Sequence, residues 1–275
     1  MADVFFEGYV ATTRLSLYTA RAGAGRPLLF LGGSGFDMRL RRSVFNSPLV
    51  QHFSVAAYEP RGLGRSERPP GPWTIADYAD DACALLDALG WDSPFVVGES
   101  FGGMVALELA LRHPKRVKAL CVAAATAGGA LGRSYPIEEL VHLKGRERAI
   151  KVLTVQDSRF AALLQQKPDT AQALVAAYMQ VDAAFWADAG NAQNFERLLA
   201  ARAQHDVGSR LHQLSTPSVV MAGRHDGQAK PEHVNTLAQK LSNSVLWTFE
   251  GGHGFAFATA QPMQQLCVHW ADSEA

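Results

Sequence analysis

The sequence holds little that would tie it to a nucleic acid, a membrane or an oxidising compartment. Its 26 Lys and Arg are matched by 26 Asp and Glu among 275 residues, so neither sign of charge is in excess. That balance argues against a nucleic-acid or anionic-membrane partner. Nowhere do about 18 apolar residues run together, as a membrane-spanning helix requires. The opening MADVFFEGYV has acidic residues where a secretory signal needs basic ones, and it lacks an apolar stretch, so a cytoplasmic location is expected. Cysteine is scarce. Cys83, Cys121 and Cys267 cannot complete a disulfide set, and none stands in a C-x-x-C pair or near a histidine at metal-ligand spacing. They read as buried thiols, and the sequence gives no sign of a metal or a cofactor. Internal repeats and low-complexity tracts are missing too.

What is present is apolar: 48% of the residues are hydrophobic and 19% charged, enough for a large core and too little charge for a disordered chain. Short β-rich runs alternate with longer segments of helical period. Strands are expected at Val4–Val10, Leu15–Thr19, Leu28–Leu31, Phe53–Tyr58, Pro94–Val97 and Val117–Ala124, then at Ser218–Ala222 and Val245–Phe249. Helices are expected at Thr74–Leu89, Ser100–Arg112, Pro231–Leu241 and Gln261–Trp270. In the first, Thr74 is the N-cap, Asp77 stands at N3 and Gly90 is the stop. Strands and helices in this order imply parallel pairing with right-handed crossovers. Across 126–208 the alternation lapses into helix-forming Ala, Leu, Gln and Arg. The expected organisation is therefore one α/β core, residues 1–125 and 209–275, with 126–208 inserted as a helical cap.

The strongest chemical signal is Gly98-Glu99-Ser100-Phe101-Gly102, a G-x-S-x-G where a strand meets a helix. A nucleophile on so sharp a turn holds a strained backbone and tolerates only small neighbours, here Gly98, Gly102 and Gly103. A serine hydroxyl also needs a base, and nine histidines compete for that role. His253 lies in the glycine-flanked loop Glu250–Phe255 directly after the last strand, at the sheet edge where open α/β proteins place their sites. His113 stands beside a helix-ending proline, while His52, His212, His233 and His269 fall on helices or connections; all five read as surface or structural. Asp226, just beyond the strand Ser218–Ala222, is the expected orienting acid. Its rivals are Asp206, near the end of the insertion, and Glu99, which should point away from Ser100. A turn-forming role before Gly227 is the other reading of Asp226. The expected oxyanion donors are the Phe101 N–H and an N–H from the glycine cluster after Leu31, with Ser34 first and Gly33 next. That cluster lacks the endings of nucleotide-binding loops.

Five segments together resemble the α/β-hydrolase superfamily over essentially the whole chain: LGGSGFD at 31–37, PRGLGRSERPPGP at 60–72, GESFGG at 98–103, AGRHDG at 222–227 and EGGHGF at 250–255. Within it the chain is similar to the 3-oxoadipate enol-lactonase-like and carboxylesterase branch. The resemblance implies a mostly parallel eight-stranded sheet flanked by helices. The order Ser100, Asp226, His253 is the order of that superfamily. Relatives usually carry His-Gly at the start of the oxyanion loop, where this chain has Gly32-Gly33, which implies a loop held differently or a more mobile one.

The expected activity is hydrolysis of a small or medium carboxylic ester or lactone through an acyl-enzyme on Ser100, falling as His253 becomes protonated. Two other readings remain open. One is C–C bond hydrolysis or cofactor-free perhydrolysis by the same residues, and the other is a ligand-binding protein with a weakly active core. An apolar substrate pocket is expected from Phe36, Met104, Phe160, Tyr178, Phe185, Trp186 and Phe255, the other reading being that most of the insertion's aromatics pack the cap on the core. Arg133, Lys144 or Arg159 could meet a substrate carboxylate, but solvated helix faces explain them equally well.

Overall fold

The computed structural model describes residues 4–272; Met1, Ala2 and Asp3, part of the opening segment read above, lie outside them. Its frame is a sheet of eight strands: β1 (Val4–Ala11), β2 (Ser16–Ala22), β3 (Arg26–Leu31), β4 (Phe53–Tyr58), β5 (Phe95–Glu99), β6 (Ala119–Ala123), β7 (Ser218–Gly223) and β8 (Ser244–Phe249). The spatial order is β1-β2-β4-β3-β5-β6-β7-β8. Pairing is antiparallel from β1 through β2 to β4, and parallel from there on.

Unbroken apolar runs form the middle strands because helices cover both faces. In β3, Leu28 and Phe30 enter one core while Leu29 and Leu31 enter the other, and all four are buried. The helices are α1 (Leu49–His52), α2 (Ile75–Leu89), α3 (Phe101–Arg112), α4 (Gly145–Gln156), α5 (Phe160–Gln166), α6 (Pro168–Ala187), α7 (Ala189–Ala203), α8 (Pro231–Lys240), α9 (Phe255–Ala258) and α10 (Gln261–Asp272). α2, α3 and α8 share the first core with Leu29, Leu31, Val96 and Val122, and α1 and α10 share the second with Leu28, Phe30 and Val97. Each fully buried Leu, Val or Phe contributes about 1.5–3 kcal/mol.

Local signals set the ends of these elements. Thr74 and Asp77 form a reciprocal capping box at the start of α2, and Gly90 closes it in the left-handed conformation at φ 67°. The short strand expected at 94–97 runs on to Glu99, because Gly98 and Glu99 still pair with Val122 and Ala123.

Between β6 and β7 the described residues form no strand beyond a single bridge, Gly128 to Asp206. α4, α5 and α6 close around a small core of their own, Ala149, Phe160, Ala171 and Val175. α7 instead buries Phe195, Leu198 and Leu199 in the main core. No helix among the described residues is long and apolar enough to cross a membrane.

Register brings the strand ends into line. Leu31 pairs with Gly98, Glu99 with Ala123, Ala123 with Met221, and Gly223 with Phe249. The loops after β3, β5, β7 and β8 therefore leave the sheet along one edge, although 66 residues of sequence separate Ser34 from Ser100 and 153 separate Ser100 from His253.

Candidate active site

Ser100 sits between β5 and α3 with φ 55° and ψ −116°, a positive φ that side chains rarely adopt. The Ser100 N–H donates to the Ala123 carbonyl at 2.8 Å and holds the turn there. Glycine is required on both sides for reasons of space. A β-carbon on Gly98 would collide with the Gly102 carbonyl, and one on Gly102 with the carbonyl of Leu31. The close approach of α3 to the ends of β3 and β5 depends on those two missing side chains.

The loops after β7 and β8 bring Asp226 and His253 to this turn. His253 Nε2 lies 2.8 Å from Ser100 Oγ, and His253 Nδ1 lies 2.9 Å from Asp226 Oδ2. All three residues are buried, at 6%, 2% and 9% exposure, so these hydrogen bonds compete little with water. A carboxylate only accepts, so in the neutral imidazole Nδ1 carries the hydrogen and Nε2 presents its lone pair to the serine. Asp226 also makes the turn, through its other oxygen: Oδ1 accepts the N–H groups of Gln228 and Ala229, each at 2.8 Å. The rival acids lie elsewhere in part. Asp206 is exposed and caps its own turn through Gly208 N–H. Glu99 does not point away as expected: it lines the same cavity as Ser100, because the strand carries it to the sheet edge. Burial pushes its carboxyl above the usual carboxylate range, against the opposing pull of His253 and Arg41.

The oxyanion side is built from α3 and the loop after β3. Neither the Phe101 N–H nor the Ser34 N–H donates to another backbone group among the described residues, and Ser34 lines the cavity with Ser100. A β-carbon on Gly33 would stand 3.5 Å from that of Ser100, so the loop passes directly over the nucleophile. The Phe101 ring itself turns into the core, edge-on to Tyr78 at 4.9 Å. Gly32, where a histidine is usual, lies under the Phe36 ring, which a β-carbon would strike. Phe36 fills that space, packs edge-on against Phe30 at 5.6 Å, and ties the loop through its N–H to the Gly33 carbonyl at 3.0 Å.

The cavity above Ser100 encloses about 290 Å³ and is more polar than expected. Arg41, Glu99, Gln156, Tyr178 and Gln228 line it beside Ile137, Leu140 and Val152. Arg148 reaches it from α4, paired with Asp182 at 3.0 Å and donating to the Leu140 carbonyl. Of the seven expected pocket residues, Tyr178 lines this cavity and Phe185 an adjoining recess of about 70 Å³. The other five lie outside this cavity. Phe36 braces the oxyanion loop, Trp186 stacks edge-on with Phe185 and Phe195, and Met104 borders a separate cavity of about 200 Å³. Phe160 and Phe255 border a neighbouring cleft of about 760 Å³ that Gln156, His253 and Gly254 line as well. Aromatic stripes on amphipathic helices turn inward to bury area, which moves them out of a polar site. The cations differ likewise: Arg159 pairs with Asp157 and Glu250, Arg133 borders the 200 Å³ cavity, and Lys144 is exposed.

Two contributors had no signal in the sequence. Gln228 approaches both His253 and Ser100, and the carbonyl of Gln156, at the end of α4, accepts the His253 N–H at 2.7 Å. Of the other eight histidines, His113 pairs with Asp80, His225 with Glu250, and His205 is buried against the Thr126 carbonyl, while His52, His142 and His212 are exposed.

A doubly covered, mostly parallel sheet with a serine, a histidine and an acid meeting at its carboxyl edge defines an α/β hydrolase. The chain belongs to the alpha/beta hydrolase fold family, whose model matches residues 26–259, and it is a hydrolase. It is 30% identical over 270 residues to a protein of Caulobacter sp. (strain K31) provisionally named carbamate hydrolase RutD, covering 89% of each chain. It is 28% identical to rhodomycin D methylesterase DnrP of Streptomyces peucetius, over 90% of this chain and 91% of that one. The enol-lactonase from Burkholderia xenovorans LB400 shares the fold at a TM-score of 0.73 and 20% identity, covering 96% of this chain and 98% of that one.

Proposed function

We propose that the protein is a serine acyl hydrolase that cleaves a small or medium carboxylic ester or lactone. The observation that carries this reading is the hydrogen-bonded line from Ser100 Oγ through His253 to Asp226, at 2.8 and 2.9 Å, beside two backbone N–H groups that donate to no backbone carbonyl among the described residues. His253 takes the Ser100 proton as Oγ attacks the carbonyl, and the N–H groups of Phe101 and Ser34 hold the oxyanion. Asp226 keeps Nδ1 protonated and stabilises the imidazolium. His253 then protonates the leaving oxygen, and water repeats the cycle on the acyl group. Helices α4 to α6 act as a cap, since Arg148, Val152, Gln156 and Tyr178 close the cavity from above. A volume of about 290 Å³ suits a compact acyl group. A carbamate is the second substrate class to try, because the relative at 30% identity carries that name and its carbonyl chemistry needs the same groups.

A fluorophosphonate probe tests the nucleophile. Wild type should be labelled on Ser100 and Ser100→Ala should not; a folded wild type that stays unlabelled contradicts the reading.

A further inference from the structure

A neutral imidazole offers one lone pair at Nε2, yet two side chains reach it. Ser100 Oγ lies 2.8 Å from His253 Nε2, and the Gln228 amide nitrogen lies 2.9 Å from it and 3.5 Å from Oγ. Both are donors, so they share a single acceptor. Gln228 is 5% exposed and its backbone is fixed on both sides. Its N–H donates to Asp226 Oδ1 at 2.8 Å, and its carbonyl accepts the Tyr135 N–H at 2.7 Å. The amide oxygen has no partner among the described residues, and the side chain lines the 290 Å³ cavity. An apolar side chain would fill such a place without the expense of burying an amide. The polar group sits where the reaction's second nucleophile must arrive.

This inference rests on the acyl-enzyme reading above. Once Oγ is acylated it has no proton to give, and Gln228 is then the one remaining side chain at Nε2 among the described residues. The incoming water must donate one proton to Nε2 and be aimed by a second group. We propose that Gln228 is the positioning residue for this water. Its amide oxygen accepts the second O–H, which turns the water's lone pair toward the acyl carbon. The water oxygen then bonds to that carbon while its proton passes to Nε2. As the tetrahedral intermediate collapses, the carbon–Oγ bond breaks, Oγ takes the proton back from Nε2, and the free acid departs. In acylation His253 takes the Ser100 proton directly, with no part for the Gln228 amide oxygen, so deacylation is the step that depends on it.

The test is stopped-flow kinetics with p-nitrophenyl butyrate, an activated ester whose acylation is fast, on wild type, Gln228→Leu and Gln228→Glu. Gln228→Leu should release close to one p-nitrophenol per site in a burst. It should then turn over about tenfold to a hundredfold more slowly than wild type, with kcat/KM unchanged within about twofold. Its intact mass should show a butyryl adduct, its fluorophosphonate labelling rate should match wild type, and Gln228→Glu, which keeps an acceptor oxygen, should recover most of the turnover. Loss of kcat and kcat/KM together without an adduct, loss of labelling, or an unchanged steady rate would each overturn the assignment. A wild type that neither turns over nor takes the probe overturns the acyl-enzyme reading itself, and this inference with it.

Discussion

Asp226 and His253 stand 27 residues apart and meet at 2.9 Å, Oδ2 to Nδ1, while the other carboxylate oxygen of Asp226 holds its own loop. The two oxygens can be separated by substitution. Asp226→Asn keeps one acceptor for the loop and loses control of the imidazole tautomer, so kcat should fall by about 10⁴ while the protein still folds. Asp226→Ala also orphans the N–H groups of Gln228 and Ala229, and should cost roughly 1–3 kcal/mol of stability in addition. Ester hydrolysis and thermal melting of the two variants measure the two roles independently.

Gly102 reverses the usual rule for glycine in a helix. Alanine normally stabilises a helix interior by about 1 kcal/mol. Here its β-carbon would run into the carbonyls of Leu31 and Gly32. Gly102→Ala should therefore lower stability by about 1–3 kcal/mol or more. Gly254→Ala, whose β-carbon meets open space, should melt within about 0.5 kcal/mol of wild type. Equal melting temperatures for both variants would contradict the account of the turn.

The turn after β4 is held by charge. Arg61 grips Asp81 of α2 through two nitrogens at 2.6 Å each, and both side chains are nearly covered. Arg14 adds a third bond to Asp81 at 2.8 Å. Arg61→Met removes one partner of a buried pair and should cost about 3–5 kcal/mol, whereas Arg14→Met should cost about 1 kcal/mol or less. Urea melts of both variants decide this.

His205 should make stability depend on pH. Burial lowers its pKa to about 4 from 6.5, against the opposing pull of the Thr126 carbonyl and of Glu108 and Asp206. The unfolded chain therefore binds a proton between pH 6.5 and about 4 that the folded chain refuses. Its contribution is present above pH 6.5 and is lost as pH falls through that window, on the order of 3 kcal/mol in all. His205→Gln keeps a donor for Thr126 and removes the titration, so the gap between its melting temperature and that of wild type should shift in its favour from pH 7 to pH 4.5. A constant gap would contradict the assignment.

Much of this was legible in the sequence because it is local. The capping box Thr74–Asp77, the stop at Gly90 and the run Leu28–Leu31 are signals a few residues long, and the structure places them within a residue or two of expectation. The small neighbours of Ser100 belong to the same class. What could not be read depends on side chains meeting across the fold. Arg41 and Arg148, 107 residues apart, come to one cavity, while Phe160 and Phe255 border the neighbouring cleft instead. Gln228 follows Asp226 by two positions, but only the fold of that turn aims it at His253. The place of Phe36 over Gly32 likewise depends on a loop that no periodic pattern describes.

The central claim is that Ser100 is the group that is acylated. The most direct measurement is turnover of p-nitrophenyl acetate and butyrate by purified wild type beside Ser100→Ala. Wild type should hydrolyse both esters, and the variant should lose on the order of a millionfold in kcat with its melting curve intact. A folded Ser100→Ala protein that still turned over at the wild-type rate would contradict the account.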